Sequence, residues 1–239
     1  MIFPAIDLQN GRSVRLYKGD FAQETVINPD SVDQAKQYEA AKVGALHLVD
    51  LDGAKAGKPV NVDIVKAVRE AFTGILEIGG GIRDKASVDL YLGLGVDRVI
   101  LGSVALKNPE LTKQVIAEYG AERIVIGVDG KNGKVAAEGW LDQSDVPMTD
   151  LIGAMVEGGA KYFIVTDVDR DGTMQGANED LLGNLQKEFP TARIVASGGV
   201  RNLEDIKSLE AKGVMDSIVG KALYEGTITL EEIAGYNQR

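Results

Sequence analysis

About half of this chain is present twice. Residues 6–12 read IDLQNGR and residues 128–134 read VDGKNGK, so that an aspartate, an Asn-Gly pair and a basic residue recur at an offset of 122. Residues 80–83 (GGIR) recur as residues 198–201 (GGVR) at an offset of 118. A unit of this length is too long for a short-period solenoid. Two copies predict one closed structure in which each half supplies equivalent positions.

The composition is typical of a globular protein that does not bind nucleic acid or membranes. The chain has 239 residues, of which 44% are hydrophobic, and no linker divides it, so we expect a single domain over residues 1–239. No apolar run approaches the ~20 residues of a membrane span, and no signal peptide is recognisable. The absence of cysteine excludes disulfides, and we expect a cytoplasmic protein. The net charge of −10 argues against nucleic acid or anionic membrane as a partner.

Short apolar runs alternate with amphipathic stretches along the whole chain. Most of the runs are rich in Val, Ile and Leu and are continuous, which is typical of parallel strands covered by helices. We predict eight strands near residues 2–6, 46–50, 75–79, 98–102, 123–128, 161–166, 193–197 and 217–220. Predicted helix caps lie at Asp30, Asn61, Asp84, Asn108, Asn178 and Asn202.

Eight strands, eight helical stretches and a two-fold repeat predict an α/β fold, a (βα)8 TIM barrel. Its half-barrels would cover about residues 1–120 and 121–239. An open, doubly wound sheet is the alternative, but it accommodates six strands better than eight and gives no reason for the repeat. We place Asp50 and Thr166 at equivalent strand ends of the two halves.

In such a barrel the active site lies at the carboxyl ends of the strands. Asp7 and Asp129 end the first and fifth predicted strands, on opposite sides of the mouth. Two carboxylates in different surroundings can act as a general acid and a general base. A single aspartate at such a place is as often a turn cap, so the duplication favours catalysis. Spacing alone does not assign the two roles.

Four other strand ends are rich in glycine, which lets the backbone approach a ligand and point its N–H groups at phosphate. Tight turns are the alternative explanation, but the turns occur as two matched pairs. We therefore predict two phosphate sites and a long substrate with a phosphate at each end. The candidate phosphate ligands are Gly80, Gly81, Arg83, Gly102, Ser103, Gly172, Ser197, Gly198, Gly199, Gly220 and Lys221.

The remaining candidates are substrate-binding residues. They are Arg15, His47, Asp50, Trp140, Thr166 and Asp169. His47, the only histidine, is either packed in its strand or functional, and Trp140 either belongs to a mobile lid or simply packs in its loop. We predict no metal, because one histidine and no cysteine cannot form a soft-metal cluster. The alternating aspartates of residues 167–171 are interpreted as ion-pair partners of Arg170 and its neighbours.

Several motifs together carry a family resemblance over essentially the full chain. They are PAIDL at residues 4–8, HLVDLDGA at 47–54, GGGIR at 79–83, VDG at 128–130 with Gly139-Trp140, and TDVDRDGT at 166–173. The chain closely resembles the phosphoribosylformimino-5-aminoimidazole carboxamide ribotide isomerases of histidine biosynthesis. The resemblance implies a TIM barrel that catalyses an Amadori rearrangement of an aldose to a ketose, with Asp7 as the base and Asp129 as the acid. It implies a small-molecule substrate with two phosphates and no cofactor, and we expect a monomer.

Alternatives remain open. The sister cyclase of the same pathway shares the half-barrel repeat and both aspartates, but it differs after the second strand and lacks the Gly139-Trp140 loop. A bifunctional isomerase that also accepts phosphoribosylanthranilate would carry the same motifs. A non-catalytic barrel that binds phosphosugars is a third possibility, although two carboxylates facing an anion would oppose its binding. A structural barrel with degenerate sites is a fourth.

Overall fold

The computed structural model describes residues 1–137, 140 and 142–239 of the chain. Strands and helices alternate along this part of it. The strands are β1 Ile2–Gln9, β2 Arg12–Tyr17, β3 Asp20–Asn28, β4 Ala45–Asp50, β5 Ile75–Gly79, β6 Arg98–Leu101, β7 Ile124–Lys131, β8 Lys134–Ala137, β9 Asp142–Pro147, β10 Tyr162–Asp167, β11 Arg193–Ser197 and β12 Asp216–Val219. The helices are α1 Ser31–Ala40, α2 Leu51–Ala56, α3 Val62–Ala71, α4 Lys85–Gly93, α5 Ser103–Lys107, α6 Pro109–Tyr119, α7 Met148–Glu157, α8 Glu179–Glu188, α9 Leu203–Ala211, α10 Lys221–Tyr224 and α11 Leu230–Asn237.

Eight of these strands form a closed parallel barrel. The order is β1-β4-β5-β6-β7-β10-β11-β12, and β12 pairs in parallel with β1 to close the ring. Each strand predicted from an apolar run overlaps one barrel strand. The predicted (βα)8 barrel is therefore confirmed, and the pairing of β12 with β1 excludes the open sheet.

Alternation along the barrel strands separates two apolar layers. In β1, Ile2, Ile6 and Leu8 pack against the helices, whereas Phe3 and Ala5 face the interior. Successive side chains of a strand point to opposite faces, so Asp7 continues the interior row. The interior layer consists of Phe3, Ala5, Ala45, Ile100, Val125, Tyr162, Ile164, Val195 and Ile218. It forms a floor beneath the mouth of the barrel.

Most of the predicted helix caps are confirmed. The side chains of Asp30, Asp84, Asn108, Asn178 and Asn202 each accept a backbone N–H from the first turn of their helix. Asn61 also occupies the predicted N-cap position, that of α3, but its side chain makes no cap hydrogen bond and donates to Asp50 and Asp52 instead. No helix in the described residues is both long enough and apolar enough to span a bilayer.

Two hairpins extend the barrel beyond the eight predicted strands. Strands β2 and β3 pair antiparallel beyond β1, and β8 and β9 do so beyond β7. The first turn is Asn10-Gly11, with φ of 50° and 77°, and the second is Asn132-Gly133, with φ of 52° and 72°. Consecutive left-handed residues of this type connect tight hairpins. The repeated Asn-Gly pair is thus a hairpin signal. The strands of the hairpins are absent from the prediction because β3 and β9 are mostly exposed and lack an apolar run.

Candidate active site

The interior row of each barrel strand ends at the mouth in one residue. These residues are Asp7, Val49, Gly79, Gly102, Asp129, Thr166, Ser197 and Gly220. Three strands separate β1 from β7 in either direction around the ring. Asp7 and Asp129 therefore lie on opposite walls.

One cavity of about 270 Å³ occupies the mouth, and both aspartates line it. Leu16, Phe21 and Val135 of the two hairpins add apolar surface. Such surroundings strengthen electrostatic interactions inside the cavity. The other predicted site residues that line it are Arg15, His47, Gly80, Gly81, Arg83, Gly102, Ser103, Trp140, Thr166, Gly172, Ser197, Gly198, Gly199, Gly220 and Lys221.

Asp7 has a strongly shifted acidity. Burial raises the pKa of Asp7 to about 6, and the positive charge of Arg15 opposes this rise. The neighbouring carboxylate of Asp171 raises the pKa further, because two negative charges in one site repel each other. The resulting value lies close to neutral pH, where a general base works best.

Asp129 has different surroundings. Burial raises its pKa, whereas hydrogen bonds from Trp140 and Thr166 lower it. The indole Nε1 of Trp140 donates to Oδ2 of Asp129 over 2.8 Å. The two opposed carboxyls thus differ in their partners, Asp7 facing the charge of Arg15 and Asp129 facing two neutral donors.

Asp171 is a site residue that the sequence did not reveal. We interpreted it as an ion-pair partner of Arg170, but Arg170 pairs with Asp167, at 3.6 Å between Nε and Oδ2. Asp171 lines the cavity and faces Arg15, with 3.7 Å between Oδ1 and Nη2. Burial raises the pKa of Asp171 as well. Its role depends on the folding of the segment after β10, which no periodic pattern specifies.

Asp50 does not line the cavity, so its position does not support the prediction that it binds substrate. Ala45, His47 and Val49 are the interior residues of β4, and Asp50 points the other way. Its fully buried carboxylate accepts N–H groups from Gly53, Val60 and Asn61, including the Asn61 side chain. Asp50 therefore holds the loop between α2 and α3.

The equivalence that we assigned to Asp50 and Thr166 is also wrong. Thr166 pairs with Asp129 as Val49 pairs with Asp7, so Val49 is the counterpart of Thr166. The counterpart of Asp50 is Asp167. Asn61 donates to Asp50 and Asn178 donates to Asp167, each over 2.8 Å and each from eleven residues along the chain.

Asp169 is also outside the cavity. Its side chain is exposed, and its backbone N–H donates to Oδ1 of Asp167 over 3.1 Å. The prediction that Asp169 binds substrate has no support from this position. No group of three or more His, Cys, Asp or Glu side chains in the described part of the chain is arranged to hold a metal ion.

The glycine turns are tightly constrained by their neighbours. Gly81 has a φ of +74°, and a Cβ there would lie 2.3 Å from the carbonyl oxygen of Gly53. At Gly199, with a φ of +81°, the distance to the oxygen of Gly176 would be 2.4 Å. Only glycine combines a left-handed backbone with such a close approach. Each turn is thus packed against the segment that follows the preceding barrel strand, and both turns also line the cavity.

Positive charge is concentrated at the second pair of glycine turns. The guanidinium of Arg15 lies over Gly220, where a Cβ would be 2.6 Å from Nη1. Nζ of Lys221 donates to the carbonyl of Gly172 over 3.2 Å. Nε of Arg15 is buried and has no hydrogen-bond partner among the described atoms. A buried donor without a partner is costly, so this corner is suited to an added acceptor.

Trp140 connects the two hairpins above the site. A Cβ at Gly19, in the turn between β2 and β3, would lie 2.4 Å from Cε3 of Trp140. The indole therefore packs on the bare backbone of Gly19 while it donates to Asp129. Gly139, which we paired with Trp140 in the sequence motif, lies outside the described residues.

His47 faces the interior. It lines the cavity, and its Nδ1 lies 2.6 Å from Oε1 of Glu77, a residue that the sequence did not single out. The sequence left open which face of β4 carries His47. His47 pairs with Ala5, an interior residue of β1, and lies two residues before Val49, so it is on the interior face.

Comparison with known proteins identifies the family. The profile of a family described as histidine biosynthesis protein matches residues 1–229. The chain belongs to the histidine biosynthesis protein family. A relative from Lactiplantibacillus plantarum, named 1-(5-phosphoribosyl)-5-((5-phosphoribosylamino)methylideneamino) imidazole-4-carboxamide isomerase, is 58% identical over 238 residues, which are 100% of each chain.

Two further relatives with the same name extend this similarity. The protein from Leuconostoc mesenteroides is 52% identical, with 98% of each chain covered. The one from Streptococcus thermophilus is 46% identical, also with 98% of each chain covered. Similarity to members of the histidine biosynthesis protein family thus extends over nearly the whole barrel, including the hairpins that surround the cavity.

Proposed function

We propose that this chain is the isomerase of histidine biosynthesis that converts the phosphoribosylformimino-aminoimidazole carboxamide ribotide from its aldose to its ketose form. One observation carries the proposal: two carboxyls of raised pKa, Asp7 and Asp129, face one cavity from opposite walls. The names of its near-full-length relatives support the same reaction.

The chemistry needs one acid and one base. A proton on the furanose ring oxygen breaks the C1–O bond while the nitrogen lone pair forms a C=N bond. Removal of the C2 proton then moves its electron pair into a C1=C2 bond and gives an enolamine. A proton added at C1 and one lost from the C2 hydroxyl complete the ketose. No atom is gained or lost, and the imine itself serves as the electron sink.

We assign Asp129 as the acid of ring opening and Asp7 as the base at C2, following the family resemblance. With a pKa of about 6, Asp7 is largely ionised at neutral pH and yet remains basic enough to accept a proton from carbon. Burial makes Asp129 retain its proton to higher pH than an exposed aspartate does.

We further propose that the two pairs of glycine turns hold the two phosphates of the substrate. These turns line the cavity at Gly81 in one half and at Gly199 in the other, where their backbone N–H groups would be available to phosphate. Arg15 and Lys221 add positive charge at the second site, and the unpartnered Nε of Arg15 supplies a further donor. Sites on opposite sides of the mouth would place the reacting sugar between the aspartates.

The partner of this enzyme is a small molecule, and we propose that the chain acts as a monomer in the cytoplasm without nucleic acid. The net charge of −10 supports the last point, because a nucleic acid partner requires a basic face.

The test is incubation of the purified protein with each of two phosphoribosylamines, the carboxamide ribotide and phosphoribosylanthranilate, followed by absorbance and mass. The proposal expects an absorbance change at unchanged mass with the carboxamide ribotide. Turnover of both compounds would identify a bifunctional isomerase, and a mass change would indicate a different reaction such as that of the cyclase. Recovery of unchanged ligand after long incubation would refute catalysis and leave a phosphosugar-binding barrel.

A further inference from the structure

A buried carboxylate lies behind the cavity wall. Glu77 and His47 are direct neighbours in the register of β5 and β4, and both point into the barrel. His47 lines the cavity, whereas Glu77 does not, and only 3% of the Glu77 side chain is exposed. Glu77 therefore has no direct access to a ligand.

The contact between the two residues is short. Nδ1 of His47 lies 2.6 Å from Oε1 of Glu77. A buried carboxylate requires a compensating donor or cation, and within the described residues His47 is the ion-pairing partner of Glu77. An ionised carboxylate can only accept hydrogen bonds, so with Glu77 ionised the hydrogen of this contact would lie on Nδ1. The other ring nitrogen, Nε2, has no partner in the described part of the chain.

His47 lines the same cavity as Asp7, Asp129 and Asp171. Its charge lowers the pKa of Asp7, of Asp129 and of Asp171. Arg15 has this effect on Asp7 and Asp171. The imidazole thus faces the cavity that the three carboxyls also line, where a sugar bound between Asp7 and Asp129 would be accessible to it.

We infer that Glu77 is a positioning residue, which holds the Nδ1 hydrogen of His47 and thereby turns Nε2 toward the sugar to form a hydrogen bond with one of its hydroxyls. A carboxylate behind a histidine commonly fixes which ring nitrogen faces the site. The identity of the sugar rests on the proposed function, whereas the orientation of the imidazole does not.

The single histidine makes this inference directly measurable. In protein labelled with ¹⁵N in its imidazole, every histidine signal belongs to His47. We expect hydrogen on Nδ1 in the wild type, and saturation with the ketose product should shift the Nε2 signal and leave Nδ1 in place. A neutral ring with its hydrogen on Nε2 would overturn the inference, and so would an Nε2 signal that does not respond to the product.

Two variants separate positioning from packing. Glu77→Gln retains an oxygen that can accept from Nδ1, so the ring should keep its orientation and most of its activity. Glu77→Leu removes the acceptor, and we expect mixed protonation of the two nitrogens and a fall of about tenfold in kcat, the scale of one charge-assisted hydrogen bond. Glu122→Gln is the matched control, because Glu122 is an exposed carboxylate that pairs with Lys161 and Tyr162 just before β7 begins.

A double-mutant cycle shows whether Glu77 acts through His47. If it does, Glu77→Leu should add no further loss of kcat to that of His47→Asn. Independent, multiplying losses would contradict the inference. If Glu77→Leu does not fold, the wild-type spectrum still decides the question. An inactive wild type with hydrogen on Nδ1 would refute the proposed function and leave the orientation of His47 intact.

Discussion

Asp7→Asn should stabilise the folded protein at neutral pH. Folding raises the pKa of this carboxyl from 3.8 to about 6, chiefly through burial. Between these two values the unfolded chain has released the proton and the folded chain still holds it. Stability therefore falls as pH rises through this window, and the loss is complete above about pH 7.

The size of the effect follows from the pKa. One pKa unit corresponds to about 1.4 kcal/mol, so ionisation of Asp7 costs the folded state about 3 kcal/mol. Asparagine has nearly the same shape and does not ionise, so the variant escapes this cost. For a chain of this length, about 3 kcal/mol corresponds to a rise of about 6–12 °C in Tm.

Thermal unfolding of the wild type and the variant across about pH 4 to 8 measures the effect. The Tm difference should grow with pH in the sense that favours Asp7→Asn. Asp145→Asn is the control, because that side chain is 100% exposed and its replacement should shift Tm equally little at each pH. A Tm difference that stays constant with pH would refute the idea that ionisation of buried Asp7 destabilises the folded protein. A variant that is less stable than the wild type at neutral pH would refute it as well.

Three further outcomes are expected. The kcat/KM of the isomerase should fall below about pH 6 as Asp7 takes up a proton, and a flat pH–rate profile in that range would contradict this. Trp140→Phe removes the indole N–H that donates to Asp129, and loss of this hydrogen bond raises the pKa of Asp129. Steady-state turnover should therefore fall about tenfold. Unchanged turnover would show that this contact does not contribute to catalysis. Asp50→Ala leaves several buried N–H groups, among them that of Asn61, without an acceptor. The free energy of unfolding measured in urea should therefore fall by about 2–4 kcal/mol. Activity per folded molecule should stay within about twofold of the wild type. A variant as stable as the wild type would show that Asp50 does not hold its loop.

The barrel strands could be predicted because the hydrophobicity of each short segment is enough to identify it as a strand. Each strand is a short apolar run, and each predicted run overlaps a barrel strand. The hairpins were missed for the converse reason, since β3 is largely exposed and owes its conformation to pairing with β2. Asn10-Gly11 was the available signal, because this dipeptide favours the left-handed turn of a hairpin.

The errors in the site have two causes. Asp50 was misplaced because a shift of one residue turns a strand side chain to the opposite face, and sequence alone did not establish that Val49 is the interior residue. Asp171 and Glu77 were missed because their partners, Arg15 and His47, are distant in sequence and are brought close only by the closed sheet. Contacts of this kind have no local pattern.

The most direct test of acid–base catalysis by the two opposed carboxyls uses the variants Asp7→Asn and Asp129→Asn. For each variant, steady-state turnover of the carboxamide ribotide and binding of the ketose product are measured in parallel. Both variants should bind the product nearly as well as the wild type, since the proposed phosphate contacts remain, and both should lose at least about a hundredfold in kcat. Retention of kcat within about tenfold of the wild type by either variant would contradict the assignment of acid–base catalysis to this pair.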